Sequence, residues 1–269
     1  MRRFPAVAHQ FYPGTPSVLE RDLASYTKPD PRQEKKAAIA VIVPHAGYMY
    51  SGRVAGETYS LVMIPERVVL LGPNHHGQEP AIAIMAGGEW EMPQGIVPID
   101  QELAEEIRRQ SPFVADDPGA HAMEHSLEVQ VPFLQYFQKN LRITPIMLST
   151  ISYATCEELG HHLATAVKQV KKDVLLVAST DMTHYESRKN AAAKDGLAIE
   201  RIMALDPEGL YHTIVTRRIS MCGFIPTTVV LVAAKALGAQ TAELVRYTDS
   251  GEVTGDTSQV VGYAGFVVS

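Results

Sequence analysis

The strongest constraint on how this chain can fold is a pattern that occurs twice: an unbroken β-branched and leucine-rich run, a proline, then histidine. The first copy is Val41-Ile-Val-Pro-His-Ala-Gly-Tyr48 and the second is Val68-Val-Leu-Leu-Gly-Pro-Asn-His-His76. A third run, Asp173-Val-Leu-Leu-Val-Ala-Ser-Thr-Asp-Met-Thr-His184, reaches its histidine without the proline. Extended segments that are apolar on both faces leave no side for water, so they suit strands of a parallel sheet covered by helices on both sides. In open sheets of this kind, ligands sit beyond the carboxyl ends of the strands. Three strands that each deliver a histidine there aim several imidazoles at one sheet edge, which is how an active site or a metal site is assembled.

The remaining pattern agrees. Strands are predicted at 37–43, 67–71, 81–85, 141–148, 174–178, 242–247 and 260–268. Helices are predicted at 17–26, 52–62, 100–110, 126–137, 155–170, 189–204, 207–217 and 225–237. For the first helix, Ser17 and Glu20 have the spacing of a capping box. Residues 4–16 read as ordered coil, 28–36 as a charged, proline-broken loop and 87–100 as a loop or hairpin. Alternation of β and α along the whole length predicts one α/β/α sandwich, a single domain over 1–269, with a mainly parallel, mixed central sheet. No helix is predicted between the last two strands, so an antiparallel edge is expected.

Charge and length narrow the function. A formal net charge of −6 in 269 residues, with Lys and Arg scattered in pairs, argues against nucleic acid or an anionic membrane as the main partner. No apolar run approaches the roughly 20 residues that span a bilayer. The amino terminus has basic residues but no apolar core of a signal peptide, so a cytoplasmic protein is expected. The two cysteines, Cys156 and Cys222, are read as thiols.

Placement separates the ten histidines. His161, His162 and His212 fall inside predicted helices and read as solvated or packing residues. His9 is ambiguous, and so is His76, because neighbouring side chains usually point in different directions. His45 and His75 each follow a buried strand in a Pro/Gly turn, where a side chain comes close to a bound group. Asp181 stands near His184, and an aspartate beside an imidazole fixes its tautomer and raises its basicity, as general acid/base chemistry requires. Cys222 precedes a predicted helix, where unpaired N–H groups favour the thiolate that ligates metal or attacks an electrophile. His121-Ala-Met-Glu-His125 matches the His-x-x-Glu-His pattern of inverted zincins, which needs a helix through it; the turn residues Asp116-Asp-Pro-Gly119 argue against one.

Taken in order, Pro44-His-Ala-Gly-Tyr48, Leu71-Gly-Pro-Asn-His-His76, Glu124-His-Ser-Leu-Glu128, Asp181-Met-Thr-His-Tyr185 and Cys222-Gly resemble the Memo-like proteins. That family includes protein B of the AmmeMemoRadiSam system. It is similar in fold to the class III extradiol dioxygenases (LigB-like), which bind non-haem Fe(II) through two histidines and a glutamate. The resemblance implies that His45 and His75 are metal ligands, that Cys222 stands where the glutamate would, and that His184 is the acid/base histidine. A thiolate in that place favours zinc, copper(I) or thiolate-tolerant iron over a plain facial triad.

Three functions compete. The first is a metal-dependent, dioxygenase-like oxidoreductase with a transition metal (iron, copper or zinc) on His45, His75 and Cys222. In it His184, oriented by Asp181, moves protons, and His125 hydrogen-bonds the substrate or oxidant. The second is a non-catalytic module that binds a peptide or small ligand in the same pocket. The third is the inverted zincin on His121 and His125. A functional link to a radical SAM protein is implied by the resemblance, and a homo-oligomer is the general expectation for soluble enzymes.

Overall fold

The computed structural model describes residues 1–27, 34–77 and 80–269. In chain order the elements are β1 (Arg2–Arg3), α1 (Pro16–Tyr26), β2 (Ala40–Val43), α2 (Tyr48–Ser60), β3 (Arg67–Pro73), β4 (Ile82–Ile84), β5 (Glu89–Met92), β6 (Gly95–Pro98), α3 (Gln101–Gln110) and β7 (Ala115–Asp116). They continue with a 3-10 turn (Glu128–Gln130), α4 (Val131–Phe137), β8 (Arg142–Leu148), α5 (Tyr153–Val170), β9 (Val174–Ser179) and β10 (His184–Glu186). The last are α6 (Arg188–Met203), α7 (Pro207–Arg217), α8 (Phe224–Ala236), β11 (Ala242–Asp249), α9 (Gly251–Thr254) and β12 (Val260–Val268).

The histidine-bearing runs are the middle of the main sheet. β2, β9, β3 and β8 lie side by side, all parallel, so their carboxyl ends share one edge. β12 adds antiparallel to β2, β11 antiparallel to β12, and β4 antiparallel to β8, which makes the sheet mixed as expected. The one-turn α9 between β11 and β12 is too short to carry the chain across the sheet, so the pair stays antiparallel. Side chains alternate across the sheet. Val41, Val43, Val68, Leu70, Leu175 and Val177 pack with Leu19 and Leu23 of α1, Tyr59 of α2 and Leu134 of α4. Ala40, Ile42, Val69, Leu71, Leu176 and Ala178 pack on the opposite face against α3, α5, α7 and α8. Each buried aliphatic is worth on the order of 2 kcal/mol, so a sheet covered on both faces is a rigid platform for whatever its edge carries. The architecture is an α/β/α sandwich.

Helix α8 is largely apolar and, up to its last turn, is buried between the sheet and α5. Its approach to α5 requires Gly160, where an added Cβ would lie 2.6 Å from Val232. This packing brings the amino end of α8 to the edge where the parallel strands finish.

Local details depart from expectation for identifiable reasons. Pro16 starts α1, its fixed φ suiting the first turn; Thr15 is the cap residue, and no side chain caps it, so the Ser17–Glu20 box does not form. Helix α2 begins at Tyr48, earlier than predicted, because Gly47 accepts from the N–H groups of Tyr50 and Ser51 directly after His45. The 87–100 segment is a hairpin of β5 and β6. The stretch read as one helix at 126–137 is a 3-10 turn followed by α4, with Pro132 in the first turn of α4. The predicted loop at 28–36 lies mostly outside the described residues. Among the described residues no helix is long and apolar enough to cross a membrane.

The zincin reading is overturned. Residues 121–125 form turns with no helix, so His121 and His125 cannot share a helical face. His121 is buried with its ring 6.3 Å from that of Trp90, in a different environment from His125. Burial, reinforced by the nearby Arg3 charge, lowers the His121 pKa to about 4. The unfolded chain takes up this proton near the ordinary value of about 6.5. The stability carried by neutral His121 is therefore complete above pH 6.5 and is lost as pH falls towards 4. His121→Phe is expected to flatten the fall of Tm across that window relative to the native chain; parallel pH profiles for the two proteins would refute this.

Candidate metal centre

Val43 at the end of β2 is in register with Ser179 at the end of β9, and β3 ends alongside at Pro73. His45 and His75 each stand two residues past their strand, in the turns that proline opens. His125 enters from the loop that precedes the 3-10 turn. Ring centroids are 5.3 Å apart for His45 and His75, 5.5 Å for His45 and His125, and 4.6 Å for His75 and His125. One ring nitrogen from each lies within 4.8 Å of the others.

The outward nitrogens have partners that fix the direction of each ring. His75 donates Nδ1–H to Glu124 Oε1 at 2.9 Å, and its backbone N–H reaches Glu124 Oε2 at 2.8 Å. His125 Nδ1 faces the same Oε1 at 3.4 Å. His45 Nδ1 lies 3.0 Å from Ser179 Oγ. Burial alone would raise the Glu124 carboxyl, but His75 and the N–H of Ser126 outweigh it and hold the group well below the usual carboxylate range. Burial, with the neighbouring imidazoles, holds His45 well below its ordinary value; burial brings His125 down to about 4. Three imidazoles, each with one nitrogen turned to a fixed partner and another turned to its neighbours, beside a buried carboxylate, make a donor set of the kind a transition-metal ion takes. The three histidines can therefore hold a metal.

Cys222 Sγ stands 3.2 Å from His45 Nε2 and accepts the Asp181 N–H at 3.2 Å. Its position depends on Gly223, where an added Cβ would lie 2.3 Å from the Ser179 carbonyl oxygen and 2.5 Å from Thr180 Cβ. The helix start does not make this an acidic thiol: burial, then the Asp181 charge, push its pKa above the ordinary value.

Asp181 lies close enough to feel the His184 charge, yet the two side chains have different partners. Asp181 Oδ1 accepts the His45 backbone N–H at 2.8 Å, and burial raises the carboxyl to about 6. His184 donates Nδ1–H to the Ser220 carbonyl at 2.9 Å and its backbone N–H to Ser220 Oγ at 2.8 Å. Ser220, in place of the expected Asp181, is thus the hydrogen-bonded orienter of His184. Tyr185, next in sequence, has φ +57°, an uncommon left-handed turn for an aromatic residue, and its side chain is exposed.

The loop carrying Glu124 and His125 is held from behind by the amino-terminal segment. Arg3 donates Nε to the His121 carbonyl at 2.6 Å and Nη2 to that of Glu124 at 2.8 Å, and pairs with buried Glu128 at 2.7 Å. Glu128 also takes the N–H groups of Ala6 and Val7 and the Tyr12 hydroxyl. This sets the Phe11 ring 4.7 Å from His125. His76 faces the Met123 carbonyl at the border of the trio, while His162 faces Ser111 and His212 lies beside Glu208 on α7.

A family model described as Memo-like protein matches residues 3–267. The chain belongs to the Memo-like family. A MEMO1 family protein of Methanopyrus kandleri is 42% identical over 279 residues, covering 99% of each chain. One from Aquifex aeolicus is 42% identical over 266 residues and covers 98% of both. Among solved structures, an uncharacterized Escherichia coli K12 protein, JW3007, aligns with a TM-score of 0.54 at 16% identity, over 84% of this chain and 98% of its own, a likeness of fold alone.

Sequence reasoning singled out His45, His75, His125, Asp181, His184 and Cys222, and the fold brings them to one edge of the sheet. It placed His125 among metal donors only in the inverted-zincin reading with His121, never with His45 and His75, and it missed the supporting roles of Glu124, Ser179 and Ser220. The available signal was the Glu124-His125 adjacency, a carboxylate next to an imidazole. In this Memo-like chain Glu124→Ala is expected to weaken zinc binding by about 10–100-fold in isothermal titration, the usual cost of losing a ligand's hydrogen-bond partner. Gly223→Ala should lower stability to denaturant by about 1–3 kcal/mol through overpacking. An unchanged urea midpoint would show that the α8 start is free to shift.

Proposed function

We propose that this Memo-like protein is a metal-dependent, oxidoreductase-type enzyme acting on a small organic substrate. The observation that carries the reading is the convergence of three imidazoles, from segments far apart in sequence, beside one buried carboxylate held well below the usual carboxylate range. His45, His75 and His125 would hold the ion, and Cys222 Sγ, 3.2 Å from His45 Nε2, supplies a further donor at the same edge. The Cys222 thiolate in such a set favours zinc, copper(I) or thiolate-tolerant iron. When bound, such an ion supplies Lewis acidity and, with iron or copper, a one-electron couple.

The chain's own residues account for proton handling. Because the Ser220 carbonyl can only accept, neutral His184 carries its proton on Nδ1 and presents Nε2 as a base. Asp181 secures the His45 turn through the backbone N–H. Phe11 closes one side of the trio with an apolar face. The exposed Tyr185 stands next to His184, their rings 5.8 Å apart, where substrate would approach.

Protein purified without chelator is expected to carry stoichiometric iron, copper or zinc by elemental analysis. His45→Ala and His75→Ala should lose it, Cys222→Ser should bind it more weakly, and the exposed His212→Ala should keep it. A chain that purifies metal-free and takes up none of the three ions would sink the enzyme reading and leave a binding module.

A further inference from the structure

We propose that Ser179 and Gln130 are positioning residues that lock His45 in its Nδ1–H tautomer, keeping the Nε2 lone pair free for a metal ion. The proposal rests on the metal-centre reading for its purpose, although the tautomer itself is dictated by hydrogen bonds alone.

The deduction starts from two backbone carbonyls, which can only accept. The Gln130 amide faces the Pro44 carbonyl oxygen at 2.9 Å, so the atom on that side must be the nitrogen; its oxygen then accepts the Tyr59 hydroxyl at 3.0 Å. The amide's second N–H falls on Ser179 Oγ at 2.8 Å. Ser179 in turn lies 2.6 Å from the Ser126 carbonyl oxygen, and its single hydroxyl proton goes there. Both lone pairs of Ser179 Oγ are then acceptors. One takes Gln130 and the other faces His45 Nδ1 at 3.0 Å, so Nδ1 must bring the hydrogen.

Tyr59, Gln130, Ser179, Ser126 and His45 are all buried, so water offers none of them a substitute partner. An imidazole flipped to Nε2–H would set two lone pairs against each other at Ser179, the situation in which a buried polar group loses its compensation. In a neutral ring the remaining nitrogen, Nε2, is then unprotonated; it is the atom 3.2 Å from Cys222 Sγ. The three metal-binding imidazoles thus have different supports: His75 and His125 face the carboxylate of Glu124, whereas His45 relies on a neutral hydroxyl whose direction is dictated two hydrogen bonds away. The relay also ties together segments from three separate motifs, the Pro44 turn, the Ser126–Gln130 stretch and the end of β9.

The test uses the full chain, metal-free, with 15N-labelled histidine and long-range 1H–15N correlation spectra at about pH 8, assigned by comparison with His45→Ala. The native protein is expected to show His45 as the Nδ1–H tautomer. Ser179→Ala should shift that signal towards a tautomer mixture and weaken zinc binding by about 10–100-fold. Ser179→Thr, which restores the hydroxyl, should recover both. A native spectrum with His45 as Nε2–H overturns the proposal even if Ser179→Ala does not fold. So does a folded Ser179→Ala that keeps the native tautomer and affinity. Failure of the native chain to bind any metal would instead refute the metal-centre reading, while the spectra still decide the tautomer.

Discussion

The edge of this protein depends on keeping one carboxylate ionised where water cannot reach it. Glu124 is buried, and a lone buried carboxylate would take a proton; here His75 donates to both its oxygens and Ser126 to one. A charge satisfied in this way aligns His75 and His125 through the nitrogens that face it and offers a fixed negative charge behind a cation. Remove that interaction and the two imidazoles have no common reason to face the same point.

The scaffold explains why such an arrangement holds. Parallel strands β2, β9 and β3 end at one level, so the turns after them need no long reach. The loop bearing Glu124 and His125 lacks regular structure and is held by Arg3 through two carbonyls and an ion pair with Glu128. An amino-terminal segment far away in sequence thus anchors this loop through buried hydrogen bonds. At the opposite side, the largely apolar α8 is packed between the sheet and α5, and Gly223 lets its first residues approach Ser179 and Thr180 so that Cys222 arrives beside His45.

Part of the site was readable from the chain and part was not, for physical reasons. Continuous apolar runs announce doubly covered strands, and the turns at the carboxyl ends of such strands gather at one edge, so His45 and His75 could be placed together from local pattern. His125 could not. Its segment carries no periodicity, and the zincin-like spacing around it belongs to a turn in which His121 is turned inward beside Trp90. Asp181 and His184 lie three residues apart, which suggested a pair; the strand-to-turn path instead directs Asp181 to the His45 backbone and His184 to Ser220. Nor does position at a helix start fix the acidity of Cys222, because burial and the Asp181 charge oppose it.

By itself the sequence determined the sandwich, the positions of its buried strands along the chain, the family, and the residue types presented at the sheet edge, since each is encoded in local hydrophobic pattern or in motifs read in order. Only the tertiary structure decided which imidazoles meet, which oxygen each outward nitrogen faces, and hence which nitrogen is left for an ion. Those outcomes depend on partners tens of residues away, Glu124 for His75 and Ser179 for His45. A hydrogen bond is set by angle and distance in space, and spacing along the chain does not encode it.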